Sequence, residues 1–217
     1  MSYAPILLFT YNRLNHTKHC IESLQKNALA IESELFIYSD AAKTEDQEQA
    51  VKDVRLYLQS ITDFKKITII ERNKNWGLAS NIIDGVTTQV KMYGKVIVLE
   101  DDLIVAPHFL DFMNDALELY KDEPKVGHIQ ACDFTKDPSL PDTFLIKWTG
   151  SWGWGDDMRA LYLAESLVGR EKVLETIEPL VKEFTGKEIV FSRCIDRSSD
   201  MMKLRAKIDE IVMNALN

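Results

Sequence analysis

Residues 96–102 read Val96-Ile97-Val98-Leu99-Glu100-Asp101-Asp102, and this stretch decides the fold. Four aliphatic residues in a row fit a buried strand, and the chain passes from them without a spacer into three carboxylates. Adjacent carboxylates at the exit of a buried strand repel one another unless a cation or hydrogen-bond donors compensate. If the strand persists through the triplet, Glu100 and Asp102 point to one side and Asp101 to the other. That division suits one carboxylate on a divalent metal and its neighbours on ligand hydroxyls. Few protein oxygens, with water and phosphate completing the shell, favour magnesium or manganese. A solvated acidic turn capping the helix near Phe109 explains the same three residues.

Working outward, the same alternation recurs towards the N-terminus. Residues 4–9, 35–38 and 67–70 are short apolar runs. Between them lie stretches with helical spacing: Thr17, Cys20, Ile21 and Leu24, then Ala50, Val51, Val54, Leu56, Tyr57 and Leu58 within 44–61, then residues 78–92 ending at Gly94. Thr44 before acidic residues reads as the start of the second helix. Strands alternating with helices predict an α/β fold with a mainly parallel sheet and helices on both faces. In such sheets ligands bind beyond the carboxyl ends of the strands. Those four ends carry Asn12 and Arg13, Asp40, Asn73, and the acidic triplet.

Beyond the triplet, residues 109–120 read as a helix, 126–132 as a strand, and 144–146 as a short strand after a Pro-containing loop. Gly150-Ser151-Trp152-Gly153-Trp154-Gly155 follows as a loop dense in glycine and tryptophan. From Asp156 the composition turns helical, with helices expected over 158–167, 171–184 and 198–216 and a brief strand over 188–191. Two parts result: residues 1–155 as the ligand-binding domain, and 156–217 as a helical tail. The tail's apolar faces need a partner, which can be their own core, the Trp152–Trp154 loop, or a second subunit in a homo-oligomer.

Composition narrows the function classes. The chain has 217 residues, 46% of them apolar, with 26 basic and 34 acidic side chains for a formal charge of −8. That length and apolar share support a substantial core and exclude disorder. An acidic balance without a Lys/Arg block argues against a nucleic-acid partner. No apolar run reaches the roughly 18–20 residues of a membrane span, and Met-Ser-Tyr-Ala-Pro lacks a signal peptide's basic start. A soluble, cytoplasmic protein is expected. Cys20, Cys132 and Cys194 form no CxxC pair and read as reduced, buried thiols. His16, His19, His108 and His128 show no HExxH spacing and read as structural or surface residues.

Several other residues can carry chemistry. Thr10-Tyr11-Asn12-Arg13 lies at the first strand-to-helix turn, where backbone amides favour an anion and Arg13 can bond a phosphate. No Gly-x-Gly-x-x-Gly or Walker sequence is present, so dinucleotide and P-loop sites are unsupported. Asp40 can accept from the imide N–H of a uracil ring, or simply cap a turn. Gly77, with Asn81 one turn on, can let backbone approach a ligand. The aromatic faces of Trp152 and Trp154 can pack on a sugar ring or seal the core. Asp156 and Asp157 fit a helix N-cap.

The string Phe9-Thr10-Tyr11-Asn12-Arg13, the pair Ser39-Asp40, and the stretch from Val98 to Phe109 resemble nucleotide-sugar glycosyltransferases of the GT-A fold. The Glu-Asp-Asp-Leu-x-Val-x-Pro-x-Phe part is similar to the Golgi-type N-acetylglucosaminyltransferases that use Glu-Asp-Asp. Bacterial family-two-like glycosyltransferases are similar as well, including the Ser-Trp-Gly-Trp segment. The resemblance covers roughly residues 4–155 and stops after Trp154. It implies an acceptor segment supplying a base, for which Asp156 and Asp157 are the nearby acids, and leaves residues 156–217 as a shortened or replaced acceptor region or an appendage of separate origin.

That resemblance implies Asp102 as the direct ligand of Mn2+ or Mg2+. It implies Glu100 and Asp101 on the nucleoside and sugar, Asp40 on the base, Arg13 at the diphosphate, and Gly77 and Asn81 in the pocket lining. The implied activity is metal-dependent, inverting transfer of a sugar from a UDP-sugar to the hydroxyl of a glycan or another acceptor. Two rivals stand beside it: a non-catalytic nucleotide-sugar-binding module, and a sugar nucleotidyltransferase. The second usually carries a Gly-rich first loop, which residues 10–15 lack.

Overall fold

A computed structural model describes residues 3–123, 126–131 and 153–157 of the chain. Four parallel strands come first: β1 (Ile6–Thr10), β2 (Glu34–Ser39), β3 (Lys66–Glu71) and β4 (Lys95–Glu100). Their helical connections are α1 (Leu14–Gln25), α2 (Glu48–Leu58) and α3 (Leu78–Tyr93). After β4 come α4 (Phe109–Leu119), β5 (Ile129–Gln130) and β6 (Trp154–Asp157). The sheet order is β3-β2-β1-β4-β6-β5, with β6 antiparallel to both β4 and β5. Six mostly parallel strands with helices on both faces are the architecture of the GT-A, Rossmann-like folds, as the strand–helix alternation implies.

Alternation along each strand sorts the core into two layers. Ile6, Leu8, Leu35, Ile37, Ile97 and Leu99 face α1, α2 and α4. Leu7, Phe9, Phe36, Tyr38, Val96 and Val98 face Val86 and Val90 of α3. A strand buried on both sides has no wet face, which is why these runs carry no polar alternation. On the first of these faces, buried amides tie α4 to the chain just after α1 and just before β1. Leu110 N–H donates to Asn27 Oδ1 at 3.0 Å, and Asn114 Oδ1 accepts from Ala4 N–H at 2.8 Å.

Three expectations need correction. The second helix begins at Glu48 after a 3-10 turn, Glu45–Gln47, and the Thr44 side chain caps neither. Its buried stripe is Val51, Val54 and Leu58, so Leu56 falls on the opposite side and is exposed. The strand expected over 126–132 is only Ile129–Gln130 among the described residues.

The third correction is the largest. Residues 154–157 are not the end of a loop and the start of a helix; they are β6, paired along β4. Gly155 sits opposite Ile97, where a Cβ would come within 3.1 Å of the Val96 carbonyl oxygen and 2.9 Å of Met113 Cε. A side chain here would push Met113 aside and crowd the Val96 carbonyl, so glycine suits the close pairing of this strand with β4 beneath α4. The strand crosses the boundary expected at 155/156, and the described residues fall within one compact unit, Met1–Glu165. The expected strands and helices over 144–146 and 158–217 lie outside the described residues.

Candidate functional site

The parallel strands end together at Thr10, Ser39, Glu71 and Glu100. The ladder reaches one residue further at each junction: Asp40 N–H donates to Thr10 O, Arg72 N–H to Ser39 O, and Asp101 N–H to Phe9 O, at 2.9–3.1 Å. Asp40, Arg72 and Asp101 are therefore held as rigidly as strand residues, at the edge where side chains stop being needed for the core.

After Glu100 the acidic triplet leaves the strand. Leu103 N–H turns back to Glu100 O at 3.3 Å, and Asp101 and Asp102 form the turn. Both therefore reach one side chain, against the expectation that they diverge. Arg13 Nη2 donates to Asp101 Oδ1, and Nη1 donates to Asp102 Oδ2 at 3.1 Å. Asp101 Oδ2 also accepts from Tyr11 N–H at 3.4 Å. The Asp101 side chain is 3% exposed and that of Asp102 33%. Burial pushes the Asp101 carboxyl above the usual carboxylate range, with Arg13 and the Tyr11 amide pulling the other way. Burial would lower the Arg13 guanidinium, but the two carboxylates outweigh it and hold it above its ordinary value. The compensating cation that the triplet requires is supplied by the chain itself.

Thr10 lies beside this pair at the end of β1. Its residue is 4% exposed, and among the described residues its hydroxyl has no hydrogen-bond partner. Such an orphan at a strand end is rare enough to call for a ligand or water. Tyr11 turns the other way: its hydroxyl donates to Gln47 Oε1 and accepts from Lys43 N–H at 2.9 Å, pinning the loop after β2. Asn12 completes the turn into α1 and is half-buried.

Asp40 is buried and ties two elements together. Its Oδ1 accepts from Ala41 N–H and Trp76 N–H, and its Oδ2 from Gly77 N–H, each at 2.9 Å. One carboxylate lone pair is left, on Oδ2. Gly77 precedes α3 with φ 76° and ψ 158°, a conformation in which a side chain is strained. Asn81 is engaged within the protein, its Nδ2 donating to Gly77 O at 3.1 Å and its Oδ1 accepting from Arg72 Nε at 2.8 Å.

Two arginines escaped the sequence reading. Arg72 pairs with Asp84 and lies 3.8 Å from the centre of the Trp76 ring. It directly follows β3, so the strand-end rule that singled out Asn73 would have found it. Arg55 projects from α2 to gather the Ser39, Asp40 and Arg72 carbonyls, at 2.8–3.4 Å, and pairs with Glu71 at 3.3 Å. Its place in mid-helix gave no such signal.

The remaining expected residues lie elsewhere. Trp154 pairs with Val98 and packs partly against the α3 layer, its ring stacked on His128 at 5.5 Å. Trp152 lies outside the described residues. The register sets Asp156 beside Val96 and Asp157 beside Lys95, at the start of β4. Val96 lies four strand positions before Glu100, roughly 13 Å at strand rise, and Asp102 lies in the turn beyond it. A base acts through a hydrogen bond of about 3 Å or through one water, so neither residue is placed for that role.

Among the described residues no group of three His, Cys, Asp or Glu side chains is set to hold a metal ion. The carboxylates of Asp101 and Asp102 instead fit a hard cation that takes most of its oxygens from water and phosphate. No helix among the described residues is long and apolar enough to cross a membrane.

No curated protein sequence matches the chain. Among solved structures, a mannosyltransferase from Pyrobaculum calidifontis, solved with GDP-Man and Mn2+, is 19% identical at a TM-score of 0.41, covering 58% of this chain and 35% of its own. TarS from S. aureus is 16% identical at 0.39, covering 55% of this chain and 33% of its own. A 4-diphosphocytidyl-2C-methyl-D-erythritolsynthase from Anaerococcus prevotii is 14% identical at 0.43, covering 95% and 96%. The chain thus spans about a third of the length of the first two, and likenesses this distant carry no assignment. The sequence itself does: the model of glycosyl transferase family 2 matches residues 6–164, and the chain belongs to that family.

Proposed function

We propose that the protein transfers a sugar from a UDP-sugar to an acceptor hydroxyl, with inversion, using Mn2+ or Mg2+ held by Asp102. What supports the reading is one cluster: Arg13, Asp101 and Asp102 gathered at the common end of β1 and β4, beside the unpartnered Thr10 hydroxyl. The bound metal would supply positive charge to the departing diphosphate. Arg13 binds the same diphosphate by charge-assisted hydrogen bonds, and the Thr10 hydroxyl orients the nucleotide. Asp101 and Glu100 hold the nucleoside and sugar. Asp40 reads the base through its remaining lone pair, and its three amide bonds fix that oxygen in place. Gly77 presents backbone without a side chain, and Asn81 with Arg72 holds the start of α3. Residues 1–155 with the rest of β6 form the donor-binding part.

The test is a melting series on the full chain with UDP, GDP, ADP and a panel of UDP-sugars, with and without manganese, followed by assays of donor hydrolysis. A ligand that binds only the folded state at a hundredfold excess over Kd stabilises by about 2.7 kcal/mol. UDP should raise Tm only with metal, and Asp102→Asn should abolish the shift without weakening the ligand-free protein. Equal shifts in wild type and Asp102→Asn would remove Asp102 from the metal site. Stabilisation with neither hydrolysis nor transfer over a broad acceptor panel would make this a binding module.

A further inference from the structure

The site holds its own cation, and that has a consequence for the order in which ligands enter. The backbone of Arg13 is fixed, since Thr17 donates to its carbonyl oxygen from both N–H and Oγ1 at 3.0 Å. Its side chain is the movable part, forked across Asp101 and Asp102. An exposed ion pair of this kind would matter little. Here Asp101 is almost wholly buried, and a desolvated carboxylate that loses its partner is strongly destabilising. The guanidinium therefore stays on the pair until other positive charge replaces it.

Asp102 is the half-exposed member and the one proposed to take the metal. A divalent ion on its carboxylate competes with Arg13 Nη1 for Asp102, and it meets the repulsion of a guanidinium still held on Asp101. A diphosphate changes that balance, because its oxygens offer Arg13 a new partner of the same geometry. We propose that Arg13 is a placeholder for the divalent cation, occupying Asp102 in the ligand-free protein and leaving it when metal and diphosphate arrive together. The inference rests on the reading of this site as one for metal and diphosphate. It makes cation and nucleotide binding mutually dependent, and such coupling is reciprocal.

The test titrates Mn2+ alone into the full-length protein, following free Mn2+ by electron paramagnetic resonance, and repeats the titration with saturating UDP. Arg13→Gln should bind Mn2+ alone about tenfold more tightly than wild type, within the usual range of coupling between sites. With UDP present its advantage should disappear. Arg13→Lys keeps the charge but cannot fork across two carboxylates, and should tighten Mn2+ binding by a smaller factor. Tightening in Arg13→Gln with none in Arg13→Lys would mean that charge alone is responsible, and would overturn the placeholder. Equal Mn2+ affinity in wild type and Arg13→Gln overturns it too; if Asp102→Asn still abolishes Mn2+ binding with UDP, the site reading survives. Absence of Mn2+ binding in every protein, with or without UDP, overturns both. A crystal structure of wild type with UDP and Mn2+ needs no variant: Arg13 should lie on a phosphate oxygen, and Arg13 still bridging Asp101 and Asp102 would sink the proposal.

Discussion

Asp40 shows how one carboxylate can hold two turns of the fold together. Its two oxygens already accept three backbone N–H groups, from Ala41, Trp76 and Gly77. Removing it leaves those amides without their acceptor, and each unsatisfied buried group costs about 1–3 kcal/mol. Asp40→Ala should therefore lower the stability of the ligand-free protein by roughly 2–4 kcal/mol in urea unfolding, with Asp40→Asn losing less. Unchanged stability would show that these bonds do not hold the turn. Cys20 gives a prediction in pH. Burial, with the charges of Asp101 and Asp102, pushes its thiol from 9.0 up to about 12. The unfolded chain then loses this proton first, so stability falls as pH rises through 9 and goes on falling towards 12. Between pH 8 and 10 wild type should lose about 1 kcal/mol more than Cys20→Ala, and parallel curves would refute the shift.

At the scale of elements, the site depends on how α3 begins. Gly77 has φ 76° and nothing within 4 Å of where a Cβ would stand, so its requirement is torsional and not steric. Gly77→Ala should cost about 1–3 kcal/mol by forcing a side chain into that conformation. Nucleotide affinity should fall with it, because the Gly77 amide carries part of Asp40. A variant as stable as wild type would show that the turn relaxes freely. The strands and helices of residues 4–94 could be read from spacing because their apolar periods are local. β6 could not: Trp-Gly-Asp-Asp has no apolar alternation, and its pairing with β4 joins residues some sixty positions apart.

Across the whole molecule, the register of β6 separates its two aspartates from the acidic turn after β4. Asp156 and Asp157 lie beside Val96 and Lys95, while Asp101 and Asp102 follow the other end of β4. Asp156→Asn and Asp157→Asn should keep transfer and donor hydrolysis within about threefold of wild type, far from the 10²–10⁴-fold that a general base contributes. A loss of that larger size in either would restore it as the base. The same register explains Trp154, whose place opposite Val98 makes it a partner of the core and of His128.

The sequence by itself determined the parallel α/β sheet, because strands buried on both faces and helices with one apolar stripe are written in local periods. It also set Arg13, Asp40 and the acidic triplet at one edge of that sheet, because polar residues collect where buried strands end. Only the tertiary structure decided who answers whom there. Arg13 and the two aspartates are nearly ninety residues apart, and nothing in spacing says that one guanidinium spans both. The folded sheet brings β1 beside β4, and the turn after Glu100 then aims both carboxylates at the same cation.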